Sequence, residues 1–262
     1  MKAKAFFIFV AAAAIGAAGL ADTVAVKYPE GLVRGFLALR TLTGETIADG
    51  DLIQSSKDGQ VTSRLIFRFR DGSLQDETVV YTQSGTFKML RDHLIQRGPS
   101  FETAIDVTVD GATGRVQGRS KDKKGVERLI DETIEVPPGL GNGLVLTLLK
   151  NVSPASPKTE IPMLAAAPKP RLVKLVATPV GEDSFTTGGT SRKATHYVVK
   201  VELGGVAGVI APLIGKQPPD THVWILQGDA PAFVKSEGPL APEGPIWRIE
   251  LVSPTWPGAS KP

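Results

Sequence analysis

The chain runs in short stretches of alternating apolar and polar residues, each closed by glycine, proline, asparagine or aspartate. Val61–Arg70 is the clearest of them. Val61, Leu65, Phe67 and Phe69 share one face with Ser63, while Thr62, Arg64, Arg68 and Arg70 share the other with Ile66. A period of two is that of a half-buried strand. Similar runs are Leu32–Leu42, Thr46–Ser55, Ser73–Thr82, Thr86–Gln96, Glu102–Val109, Arg115–Ser120 and Val126–Val136. A second series covers Arg171–Val180, Lys193–Leu203, His222–Gln227, Ala232–Glu237 and Ile246–Val252. Strands and turns at this regular spacing predict a mainly β fold, not βαβ units. The expected architecture is an antiparallel meander forming a curved sheet or half-barrel with one or two short helices.

Two stretches depart from the alternation. Leu140–Val152 has Leu144, Val145, Leu148 and Leu149 near helical spacing, with Asn142 placed to cap the helix. Val206–Ile214 is apolar throughout, and too short to span a bilayer. It reads either as a buried short helix or inserted loop, or as an element covering a ligand; in both cases it must be buried against something. The Pro-rich stretches Ser153–Pro157 and Ala165–Pro170 mark a subdomain break near 153–170 within a single β-rich domain over 22–252. Residues 253–262 form a loose Pro-rich tail.

The first 21 residues have a different pattern. Lys2 and Lys4 precede an apolar stretch from Ala5 to Ala18, and Gly19 and Ala21 provide small residues before Asp22. This is the layout of a secretory signal peptide cleaved near Ala21, so a periplasmic or secreted protein is expected. No later segment is long and apolar enough to span a membrane, so no transmembrane span is expected in the mature protein. Loss of Lys2 and Lys4 leaves 28 basic against 27 acidic residues. That near-neutral balance argues against a nucleic-acid partner. The chain has no cysteine, which excludes disulfides, thiolate nucleophiles and cysteine metal sites, and also a lipid anchor on a cysteine. Without disulfides in an oxidising compartment, stability must come from the core.

The candidate chemistry is sparse. With Asp71-Gly72 as a two-residue turn, Phe67 faces Asp76, Leu65 faces Thr78 and Phe69 faces Leu74. Asp76 then lies on the apolar face, where a carboxylate needs a partner or a raised pKa. It would either fix a ligand inside an apolar trough or be an edge carboxylate near solvent, unless the register is one residue off. His93, His196 and His222 are scattered without metal-ligand spacing, and His196 shares a strand face with Lys200 and Glu202, a solvated face. There is no Gly-x-Ser-x-Gly elbow, and Gly139–Gly143 lacks the Lys-Ser/Thr ending of a phosphate loop. No enzymatic activity, cofactor or metal is therefore expected. Arg64, Arg68 and Arg70 read as a charged outer strand face. Trp224 and Trp247, in apolar strands, read as core, and Trp256 as a contact residue.

The stretches FLALRTLTGETIADGDLIQ, RLIFRFRDGSLQDETVV and KATHYVVKVELGGVAGVIAPLIGKQPPDTHVWIL resemble a family of uncharacterised exported bacterial β-rich proteins, from about Leu32 to Leu251. That family has no established activity to carry over. The architecture also resembles periplasmic half-barrels that carry lipoproteins or lipids. That resemblance implies a curved sheet enclosing an apolar trough, with Leu140–Val152 and Val206–Ile214 as plugs. The expected function is an exported soluble binding protein that holds an apolar or lipid-like ligand. The ligand-facing residues would be Phe67, Phe69, Asp76 and Thr78 on the sheet, and Val209, Ile210 and Leu213 in the apolar segment. The alternative is a structural or interaction module of the cell envelope, without a small ligand and with an envelope protein as partner.

Overall fold

The computed structural model describes residues 23–187, 189–202 and 218–252. The leader, the apolar segment Val206–Ile214 with Val209, Ile210 and Leu213, and the tail with Trp256 lie outside the described residues. Eight strands come first: β1 (Val33–Thr41), β2 (Thr46–Lys57), β3 (Gln60–Phe69), β4 (Leu74–Ser84), β5 (Thr86–Arg97), β6 (Thr103–Asp110), β7 (Arg115–Asp122) and β8 (Glu127–Thr133). The helix α1 (Val145–Asn151) follows. Six more strands are β9 (Thr159–Ala165), β10 (Arg171–Thr187), β11 (Thr190–Glu202), β12 (Thr221–Leu226), β13 (Ala232–Gly238) and β14 (Trp247–Leu251).

The fold is mainly β, as the alternation predicts. The 14 strands among the described residues form one open sheet in the order β8-β7-β6-β5-β4-β3-β2-β1-β14-β13-β12-β11-β10-β9. The order of strands starts mid-sheet, where β1 pairs antiparallel with both β2 and β14. It steps outward to β8 at one edge, crosses through α1 to β9 at the other edge, and returns strand by strand to β1.

The sheet must curl, because one apolar cluster joins its two wings. Val79, Tyr81, Val109 and Ile130 from one wing pack in the same buried cluster as Ile161, Leu175, Tyr197 and Val223 from the other, with Leu148 and Leu149 of α1 among them. The helix is thus the internal plug expected of Leu140–Val152. Polar ties hold it there. The Asn151 carboxamide oxygen accepts from the Lys27 and Tyr28 backbone N–H groups, both at 2.8 Å, and the Tyr197 hydroxyl donates to the Val152 carbonyl at 3.1 Å. Lys150 also pairs with Glu30. A second, aromatic cluster lies under β1–β3 and β14. Phe69 meets Phe101 edge-on at 5.5 Å and Trp247 at 5.4 Å between ring centroids.

Two sequence expectations need correction here. The helix is shorter than Leu140–Val152, because Gly143 has φ of +65° and interrupts the helical path. Asn142 does not cap it; Leu144 occupies that position without a side-chain cap. Instead, Asn142 clamps β9, donating to the Leu164 carbonyl at 3.0 Å and accepting from the Leu164 N–H at 2.8 Å. β9 itself, with Pro162 at its centre, falls in the stretch read as a break. A proline removes a ladder donor and is tolerated on an edge strand, which is where β9 lies.

Candidate functional site

The β3–β4 turn decides which side chains enter the interior. Two hairpins carry Asp-Gly, and they differ. At Asp58-Gly59, φ is +51° and +77°, and Lys57 pairs directly with Gln60 across a two-residue loop. At Asp71-Gly72 only the glycine has positive φ, and the Phe69 N–H donates to the Ser73 carbonyl at 3.0 Å across three residues. The extra loop residue shifts the register by one, so Phe67 pairs with Gln75, Ile66 with Asp76 and Leu65 with Glu77. A one-residue slip turns every side chain of the returning strand over.

Asp76 and Thr78 are therefore on the outer face, contrary to the sequence expectation. Asp76 accepts a two-pronged ion pair from Arg64, at 2.7 and 2.5 Å. Thr78 lies opposite Arg64 and His93. Arg68 pairs with Asp51 at 2.9 Å, so the outer face of β3 is charged and solvated as read. Phe67 and Phe69 do point inward, but as packed core: Phe67 is completely buried with its ring over Gly50. They line no open trough.

Glu77 takes the interior place instead. It lies between Leu65 of β3 and Leu94 of β5, and Asp92 sits opposite Val79 on the same face. Asp92 is 2% exposed, and its Oδ1 has no hydrogen-bond partner within the described structure. Burial pushes the Glu77 carboxyl up to about 7. Burial, and then the charge of Glu77, drive Asp92 well above the usual carboxylate range, against hydrogen bonds from the Asn142 side chain and the His93 backbone. The two groups are a protonatable pair inside the sheet.

A cavity of about 320 Å³ lies where the two apolar clusters meet. Its walls are Val145 and Leu146 of α1, inward residues of β9–β12, and the Pro239–Pro242 turn with Ile249 of β14. The turn is anchored from across the interior, because Gln96 of β5 donates to the Leu240 carbonyl at 2.9 Å. The inward row of β10 shows how the cavity is built. Ala177 is completely buried and Leu175 is 6% exposed; Val173 is half-buried and Arg171 is exposed. The row runs from a sealed floor to an open, charged mouth. Among the described residues of the wall, Arg171 is the one with a charge, and Thr221 and Ser236 provide hydroxyls.

The outer face of the second wing carries a groove of about 760 Å³ between the β10–β11 hairpin and β12–β14. Trp224 borders it, buried at 7% exposed but on the outer face, apart from the two apolar clusters: its N–H donates to Asp183 at 2.6 Å and Lys235 sits 4.1 Å above its ring. His196 stacks on Trp224 at 4.3 Å and meets His222 at 2.8 Å, so its face is packed and not simply solvated. Burial and then the nearby His222 lower the His196 pKa. His222 and Trp224 are two residues apart on one strand, a visible signal. Bringing His196 beside them needs the β11–β12 register. No group of three or more His, Cys, Asp or Glu side chains is placed to hold a metal among the described residues.

No family model matches the chain, and no curated protein does. One solved structure that it resembles is the crystal structure of a β-barrel-like protein from Brucella abortus, of a domain family of unknown function. The likeness has a TM-score of 0.46 at 8% identity and covers 85% of this chain and 97% of that one. What defines the class is the chain's own sheet: an open, antiparallel, curled β fold with an internal helix. No helix among the described residues is long and apolar enough to cross a membrane.

Proposed function

We propose that the protein is an exported, non-enzymatic binding protein that holds an apolar or lipid-like ligand inside its curled sheet. The cavity of about 320 Å³ carries this reading, because side chains of both apolar clusters border it without filling it. Its size falls near the lower end of the range for ligand sites, and an apolar wall with a few polar groups is their usual composition. The leader-like first 21 residues support export. The site lies in the second wing and not at Phe67 and Phe69.

Native mass spectrometry of the protein purified without detergent, with organic extraction of anything bound, tests the reading. A co-purifying amphiphile, or uptake of added fatty acid that Val173→Trp abolishes in a folded variant, supports it. A clean unliganded mass with no uptake overturns it. The second reading, an envelope interaction module, is favoured by the outer groove at Trp224, with Asp183, Lys235 and Glu250 around it. Cross-linked partners lost on a Lys235→Glu change would support that module.

A further inference from the structure

Resting on that reading, we infer that the cavity selects a single-chain amphiphile with an anionic head, whose charge is met by Arg171 at the mouth. Four observations carry the assignment. Arg171 borders the cavity, and no acidic residue does among the described wall residues. The inward side chains of β10 grade from buried Ala177 and Leu175 through Val173 to exposed Arg171, so the apolar-to-charged axis matches a tail-first amphiphile. The Arg171 side chain has no ion pair or hydrogen bond among the described residues, whereas Lys174 on the opposite face of the same strand is held by Glu160 at 2.9 Å. Across the ladder from Arg171 is Ala165, also in the wall, too short to cover the guanidinium.

The volume sets the tail. About 320 Å³ suits one short or medium chain, not the two chains of a phospholipid. Each methylene buried is worth about 0.8 kcal/mol, so the chain supplies affinity and the head supplies selection. A guanidinium meets a carboxylate, sulfate or phosphate head through two parallel N–H donors. An alcohol of the same chain fills the cavity but leaves the charge unmatched.

The test compares decanoate with decanol by isothermal titration calorimetry, on the wild-type protein and on Arg171→Gln. Wild type is expected to bind decanoate more tightly. Arg171→Gln should weaken decanoate by about tenfold, as expected of a charged hydrogen-bonded contact near solvent, and leave decanol within about twofold. Added salt should weaken decanoate alone. Equal wild-type affinity for the two, or equal losses on Arg171→Gln, would overturn the role of Arg171 and leave the apolar site standing. If neither compound binds wild type, the binding function itself fails. Decyl sulfate in place of decanoate reads the head: tighter binding of the sulfate assigns a sulfate- or phosphate-bearing ligand, and weaker binding a carboxylate.

Discussion

Glu77 offers a test of the register that places it indoors. The perturbation is Glu77→Gln, which keeps shape and removes the titration. The Glu77 carboxyl rises from an ordinary 4.5 to about 7 in the folded protein through burial. The native state therefore holds a proton that the unfolded chain releases between those values. By linkage, the associated stability is fully present below about pH 4.5 and is lost as pH rises through about 7. At about 1.4 kcal/mol per pKa unit the limit is about 3 kcal/mol. Glu77 is only half-buried, so solvent screening brings the expected range to about 1–3 kcal/mol. The assay is urea unfolding near pH 5 and near pH 8, at constant ionic strength, with a common m value as the check on two-state behaviour. Wild type should lose more stability than Glu77→Gln across that interval. The lowered pKa of His196 works in the opposite direction, but it is common to both proteins and cancels in the difference. Asp92→Asn should act in the same direction as Glu77→Gln. If wild type and Glu77→Gln show the same pH dependence, Glu77 does not occupy the interior position that the three-residue turn assigns.

Two further outcomes follow from the packing. Asn142→Ala strands the Leu164 N–H and C=O inside the structure and should cost about 2–4 kcal/mol in chemical unfolding, at the two-bond end of the range for lost buried hydrogen bonds. Asp76→Ala removes a solvent-side pair with Arg64 and should cost no more than about 1 kcal/mol, whereas Phe67→Ala empties the second core and should cost about 3–5 kcal/mol. A larger loss from Asp76→Ala than from Phe67→Ala would return Asp76 to the interior.

Most of the fold was legible because a two-residue period and Gly-containing turns are local signals. Val61–Arg70 shows its two faces without any partner, and the strands around it follow from the same rule. The apolar spacing of Leu144, Leu148 and Leu149 likewise marks the plug. β9 was hidden because a proline near its centre is a breaker by local rules, and only its edge position makes it acceptable.

The site was much less legible, for a physical reason. Side-chain facing in a hairpin depends on the number of loop residues, and Asp-Gly is compatible with both a two-residue and a three-residue loop. Asp58-Gly59 took the first and Asp71-Gly72 the second, and that single residue exchanged Asp76 for Glu77 inside the sheet. The cavity and Arg171 at its mouth depend on contacts between α1, β9–β12, the Pro239–Pro242 turn and β14, segments far apart in the chain. The sequence by itself determined strands, turns, a short central helix and a core without disulfides. Which face each strand buries, how far the sheet curls and where space is left inside were decided by long-range pairing, because those quantities belong to neighbours that no local pattern specifies.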